Sequence, residues 1–281
     1  VPSLLNLFLK YDIKATFYFT EFCKVIGMDF TLDKYIELCE TIMKNYEALT
    51  VRNYLLKKPN GKVAILRHDV DRKPLNALKM AKIEDNLGIT STYYFRMKEG
   101  VFNPNIIKKI AGMGHEIGYH YEVLDKAKGD FKKAIEIFKE ELKEFRKICN
   151  ISTICMHGNP ISKWTNKDLW KKYDFREFDI IGEPYLSIDY EKVFYFTDTS
   201  RKWNSRFSIK DNINENVNTQ IKIKDTDDII KIINNGQSTQ VCILVHPNRW
   251  NDNFAEWFIE LIWQNAKNMG KAAIKKYKKL I

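Results

Sequence analysis

The sequence predicts an α/β fold with a mainly parallel sheet, closed as a barrel rather than spread as a doubly wound sheet. The first observation is alternation: apolar strand-like runs take turns with amphipathic helical stretches, roughly seven or eight times, the pattern of right-handed β-α-β crossovers. The second is size, since 281 residues fit one such barrel or two smaller domains. The third is placement. Titratable residues recur at or just past the C-terminal ends of the apolar runs, where parallel barrels build their chemistry, and this favours the barrel.

Taken in order, Val1 to Lys10 reads as a short helix, Tyr11 to Lys14 as a turn and Ala15 to Thr20 as a strand. This resembles the second half of a β-α-β unit, and Ile13 to Phe19 echoes Ile89 to Phe95. Residues 1–29 are therefore assigned to a partial helix–strand unit, read either as a remnant of a preceding domain or as the chance likeness of any helix–strand unit, and 30–281 to the barrel domain. Phe30 to Tyr46 is expected as a helix with Tyr35, Leu38, Ile42 and Met43 on one side. Lys57 to Lys62 is a turn-rich connector, Val63 onward a strand, Pro74 to Leu87 a helix and Thr90 to Phe95 a strand. A short helix over Asn103 to Gly112 precedes Gly114 to Glu122. Asp130 to Ile148 is the clearest helix, with Phe131, Ile135, Phe138, Leu142 and Phe145 at helical spacing against a Lys/Glu face. Strands are expected at Ile151 to Met156, Ile180 to Tyr185, Val193 to Thr197 and Gln240 to Val245. Asn204 to Asp225 reads as loop, Asp228 to Asn234 as a short helix, and a helix from Phe254 runs into the basic tail Lys271 to Lys279.

Composition narrows the function. A hydrophobic fraction of 44% supports a sizeable core and excludes disorder. The net charge of +10 comes from scattered lysines without a basic, aromatic-interleaved stripe, so no nucleic-acid partner is expected. No run is long enough to cross a membrane. Five cysteines, an odd number without a C-x-x-C pair, make a poor disulfide or zinc framework. With no signal peptide visible this favours the cytoplasm, although the chain begins at Val1 rather than Met.

The chain is organised around Val63-Ala-Ile-Leu-Arg-His-Asp-Val-Asp-Arg72. Period two puts Asp69 and Asp71 on one side of an extended strand. Two adjacent carboxylates do not both ionise cheaply without a cation. A metal bound by one, with the other as a base, resolves the conflict; a plainer reading makes Asp71 the N-cap of the following helix. Of the five histidines, His68, His120, His157 and His246 fall at strand ends, so a parallel barrel would gather them at one mouth. His115 precedes its strand and reads as structural.

These residues carry a resemblance. The chain resembles the polysaccharide deacetylase family, carbohydrate esterase family 4, in a divergent branch with H-D-V-D in place of T-F-D-D-G. Gly114-His-Glu-Ile-Gly-Tyr-His120 is similar to the family's G-H-E-I-G-N-H, and Leu244-Val-His-Pro247 to its late L-L-H motif. The resemblance spans roughly Lys62 to Pro247 in motif order. It implies a distorted (β/α)7 barrel that removes N-acetyl or O-acetyl groups from a carbohydrate with a divalent metal, Zn first and Co, Ni or Mn next. It implies Asp69 as general base, His246 as general acid, and Asp71 and His120 as metal ligands. Asp198, Arg201 and Trp203 fall where the family orients its catalytic pair; His68, Glu183 and Tyr185 are further supporting or substrate-facing candidates. The family's second metal histidine is missing, because His120 is followed by Tyr-Glu-Val-Leu124. Either Glu122 or His157 is expected to complete the ligand set. Tyr119, Tyr121, Trp203 and Trp250 are candidates for stacking on sugar faces, each with an ordinary core role as the alternative. Two other functions stay open: a metal-independent hydrolase of another C–N bond, and an inactive sugar-binding module. Oligomeric state is not legible.

Overall fold

A computed structural model describes residues 28–159, 162–203 and 223–278. The helix–strand unit expected before residue 28 and most of the expected 204–225 loop lie outside the described residues.

Seven parallel strands form one sheet. They are β1 (Glu47–Leu49), β2 (Val63–Val70), β3 (Thr92–Phe95), β4 (Glu116–Tyr121), β5 (Ile154–Met156), β6 (Phe194–Thr197) and β7 (Gln240–Val245). The order is β5-β4-β3-β2-β7-β6. β1 and β3 share one flank of β2: β1 pairs with Val63 to Ile65, and β3 with Arg67 to Val70. The helices are α1 (Leu32–Asn45), α2 (Val51–Lys57), α3 (Pro74–Asn86), α4 (Pro104–Gly112), α5 (Val123–Lys126), α6 (Phe131–Arg146), α7 (Pro184–Ser187), α8 (Thr226–Asn234) and α9 (Phe254–Lys278).

The sheet curls into an incomplete parallel barrel. Arg67 on β2 reaches Cys155 on β5 at 3.1 Å, three strands away, a separation of about 14 Å in a flat sheet. Residues of β5 (Cys155) and β6 (Tyr195), the two ends of the strand order, meet in one inner core with Ile65, Tyr94, Cys242 and Leu244. Two outer cores lie between sheet and helices. One is centred on Tyr93, Tyr119, Tyr121, Phe138 and Phe145, the other on Tyr35, Leu38, Trp203 and Trp250.

Local chemistry explains most element boundaries. Thr31 caps α1 by accepting from Lys34 N, and Asp130 caps α6 by accepting from Lys132 and Lys133 N. α3 starts at Pro74 behind Lys73, which has a left-handed backbone and no side-chain cap bond. Asp71 is therefore not its N-cap. The Ile180 to Tyr185 strand does not form: Gly182 makes a single bridge to Thr153, and Pro184 then opens α7 with Glu183 as its cap. Proline has no N–H for a ladder and suits the first helical position. The Ile151 to Met156 strand is shorter, beginning at Ile154. β1 and α2 were not foreseen, because Glu47 to Lys57 is too short to show a period. Among the described residues no helix is long and apolar enough to cross a membrane.

Candidate active site

Period two decides which side chains enter the barrel. Along β2 and just beyond, Ile65, Arg67, Asp69 and Asp71 point inward; His68 and Val70 point to the helices. On β4 and just past it, Gly118, His120 and Glu122 point inward. Register then stacks the strands: Asp69 is opposite Tyr94, Tyr94 opposite Gly118, and His120 opposite Cys155. One residue pair further along, Glu122 and His157 flank each other at the mouth. Gly118 is obligatory there, since a Cβ would lie 2.3 Å from ring carbons of Tyr94.

The acids and imidazoles meet. Asp71 Oδ1 lies 3.5 Å from His120 Nε2 and 3.5 Å from His157 Nε2. His120 Nε2 is also 3.7 Å from Asp69 Oδ2. His120 Nδ1 donates to the Cys155 carbonyl at 2.9 Å, leaving Nε2 with its lone pair toward the aspartates. Burial alone would raise the Asp71 carboxyl, but His157, His120 and His246 outweigh it and hold it well below the ordinary range. Burial pulls His120 down, yet Asp69 and Asp71 bring it out above its usual value. His157 is dominated by burial, which lowers it to about 4 against the attraction of Asp71, so it is neutral near pH 7.

Arginines that the sequence reading passed over complete the charge pattern. Arg67, fully buried, donates to Asp69 Oδ2 at 3.0 Å and to the Tyr185 hydroxyl at 3.1 Å, and rests on the Tyr185 ring. Arg96 grips Glu122 at 2.5 Å and stands 4.0 Å from Asp71. Arg67 on β2 and Arg96 just past β3 lie on the inward period, so the alternation that found Asp69 and Asp71 could have found them. Glu183 sits behind β5, accepting from Met156 N at 2.9 Å; burial raises its pKa to about 7 despite that bond and Arg67.

At the end of β7, His246 Nδ1 meets Asp198 Oδ1 at 2.6 Å. Asp198 is fully buried and also binds the His246 backbone N–H, Trp250 Nε1 and Arg249 Nη1. Burial would raise it, but Arg249 and His246 bring it below its ordinary value. Arg249, three residues past His246, was also missed in the sequence.

Several expected site residues lie elsewhere. His68 stacks on Tyr93 at 4.1 Å and meets Glu84 Oε1 at 3.0 Å, in the layer between sheet and helices, because its position on β2 is out of phase with Asp69. His115 belongs to the same buried cluster, with Nε2 on the Ala81 carbonyl at 3.0 Å, the structural position expected for it. Arg201 donates to the Trp257 carbonyl and lies over the Trp257 ring, away from the acids. Trp203 is packed between Phe30 and Trp250 with its Nε1 on Thr226, and Tyr119 and Tyr121 are fully buried on the outward face of β4. None of these four aromatics is open to a sugar. A polar pocket lined by Arg52, Glu116 and Asn150 among others lies at the N-terminal ends of β3 and β4, the opposite end from Asp69.

The donor set fits a divalent cation. Asp71 Oδ1 is buried and has no hydrogen-bond partner, an arrangement that is costly unless a cation or proton fills it. Asp69, Asp71 and Glu122 face only two guanidinium groups, and Asp71 is the carboxylate that neither one touches at hydrogen-bond distance. Among the described residues, Asp69, His120 and Cys155 are the three donors whose ligand atoms all lie within 4.8 Å of one another.

No family model matches the chain, and a search of curated proteins finds no match. Among solved structures the chain is similar to PdaA of Bacillus subtilis, a family 4 carbohydrate esterase. The two share 16% identity and a TM-score of 0.41 over 77% of this chain and 83% of that one. At that level the likeness does not bear on the site.

Proposed function

We propose that this chain is a hydrolase that removes N-acetyl or O-acetyl groups from a carbohydrate with the help of a divalent cation. The observation that carries this reading is the convergence at one mouth of Asp69, Asp71, His120 and His157 from β2, β4 and β5, together with the orphaned Asp71 oxygen. The motif order from Lys62 to Pro247 supports the same reaction class. Asp71 and His120 would hold the cation, zinc most readily. When bound, it would supply Lewis acidity, polarising the acyl carbonyl and acidifying a water.

The rest is the work of side chains. Arg67 holds Asp69 in an ion pair at 3.0 Å, and Asp69 receives the proton of the attacking water. Asp198 accepts a hydrogen bond from His246 Nδ1–H; in the protonated ring the exchangeable proton is then at Nε2, from which it passes to the leaving amine or alkoxide. Asp198 cannot swing away, because Trp250, Arg249 and a backbone N–H also hold it.

The test is acetate release from N-acetylated and O-acetylated oligosaccharides, with zinc-loaded and chelated protein and with Asp69→Asn. Release that disappears on chelation and in the variant is the expected result. Release that survives chelation would make the deacetylation metal-independent and overturn the role of the cation. Binding of the sugars without release from any of them would make the chain a sugar-binding module.

A further inference from the structure

We propose that His157 is the third protein ligand of the cation site, with Glu122 and Arg96 as the pair that orients its ring. This rests on the metal-dependent reading above. It assigns the ligand that the sequence leaves open and relocates it to the neighbouring strand.

Geometry comes first. The two imidazole Nε2 atoms each lie 3.5 Å from the same partnerless Asp71 oxygen. Around a tetrahedral ion with bonds of about 2.0–2.1 Å, neighbouring ligand atoms are about 3.3 Å apart. The His120 and His157 rings meet edge to face, with centroids 5.3 Å apart and planes at 87°. Each ring thus presents one nitrogen to the same carboxylate oxygen.

Tautomers agree with this. His120 is held through Nδ1 by the Cys155 carbonyl, so Nε2 is the free donor. His157 Nδ1 is buried without a hydrogen-bond partner and faces Glu122 Oε2 at 3.5 Å, while its Nε2 turns to Asp71. A ligating imidazole whose other nitrogen meets a carboxylate is a recurrent arrangement that fixes the ring and raises its basicity. Arg96, at 2.5 Å from Glu122, holds that carboxylate in place.

The rival ligands are already engaged by positive charge. Glu122 is paired with Arg96, and Lys126 approaches it at 3.9 Å, so a cation would have to displace a guanidinium. The Cys155 thiol lies 3.1 Å from Arg67 Nη2, and Asp69 lies 3.0 Å from the same nitrogen. An ion seated among Asp69, His120 and Cys155 would sit against a buried arginine. None of Asp71, His120 and His157 accepts a hydrogen bond from a guanidinium; Arg96 Nη1 stands 4.0 Å from Asp71. The register supplies the reason: with His120 opposite Cys155, the residue two beyond Cys155 is brought beside Glu122 at the mouth. A histidine one strand over thereby stands in for the family's second histidine, whose position here is Leu124 in α5.

The test is titration of the chelator-treated full chain with Co²⁺, followed by absorption, and with Zn²⁺, followed by calorimetry. The wild type is expected to take one equivalent of each, with no sulfur-to-cobalt charge-transfer band. His157→Ala and His157→Gln are expected to lose more than about 100-fold in affinity, and Glu122→Gln about 10–100-fold. Cys155→Ser should stay within about threefold, below the outer-shell range. Metal-free melting curves of the two His157 variants separate lost ligation from lost folding. Wild-type affinity in a folded His157 variant, or a thiolate band lost in Cys155→Ser, overturns the assignment and leaves the metal reading standing. A wild type that binds neither ion removes both.

Discussion

Asp69 and Asp71 are two residues apart on one strand and share a face, yet their partners differ. Asp69 is tied to the buried Arg67, whereas Asp71 lies between two imidazoles with one oxygen unpaired. That asymmetry is the basis for making the first a base and the second a ligand. Asp69→Asn is expected to keep the fold and lower kcat by about 10²–10⁴-fold, read as initial rates of acetate release. Arg67→Met removes one member of a buried ion pair. It should cost about 3–5 kcal/mol in a urea unfolding curve, because the Asp69 charge is then buried alone. Glu183 behaves in the opposite sense from most acids here. Its pKa is raised to about 7, so folding binds a proton, and the carboxyl weighs against the fold as pH rises from 4.5 through 7. Glu183→Gln removes that term. Relative to wild type, the variant should gain about 3 kcal/mol between pH 4 and pH 8, whatever the offset from its altered hydrogen bonds. A pH-independent difference would show that Glu183 is not held protonated.

At the scale of the element, β4 is the most constrained strand. Gly114 precedes it with a backbone angle of +87°, and Gly118 leaves the space that the Tyr94 ring fills. Gly118→Ala drives a Cβ into a ring that is itself fully buried and hydrogen-bonded to Thr153. Overpacking of this kind should destabilise by about 1–3 kcal/mol or more, and Tyr94→Leu in the same chain should restore part of the loss in a thermal melt. Both glycines were visible in the Gly114 to His120 stretch as a motif; why Gly118 is a glycine was not, since its clash comes from a neighbouring strand. The long helices were legible from their own periodicity and caps, Asp130 to Ile148 above all. The Ile180 to Tyr185 stretch was misread because its apolar start suggested a strand while Pro184, the residue that ends it, was given too little weight. His68 was misplaced for a related reason: a motif groups neighbours in sequence, but a strand sends alternate neighbours to opposite faces.

On the scale of the whole molecule, the site depends on a second buried polar centre that does no chemistry. Glu84 on α3 accepts from Tyr93 and Ser91, meets His68 and His115, and is hydrogen-bonded to Tyr35 on α1, so it ties two helices to β2, β3 and β4. Burial would raise its pKa, but His68 and then His115 outweigh that and bring it to about 2. A carboxyl lowered on folding stabilises above its unfolded pKa of 4.5, and that stability is lost as pH falls toward 2. The wild type should therefore lose about 3 kcal/mol relative to Glu84→Gln between pH 5 and pH 2, measured by urea unfolding at each pH. Equal pH slopes for the two chains would mean that the cluster is not ionised in the way described.

The sequence by itself determined the strand–helix alternation, the inward pair of Asp69 and Asp71, and the recurrence of histidines at strand ends. Each of these follows from periods of two and 3.6 residues or from adjacency along the chain, which are local properties. Only the tertiary structure decided that Arg67 pairs with Asp69 and Arg96 with Glu122, that His68 faces away, and that His157 Nε2 stands 3.5 Å from Asp71. Those outcomes depend on the register between strands and on the curl of the sheet. Both are set by the packing of side chains far apart in sequence, so no single stretch of the chain contains them.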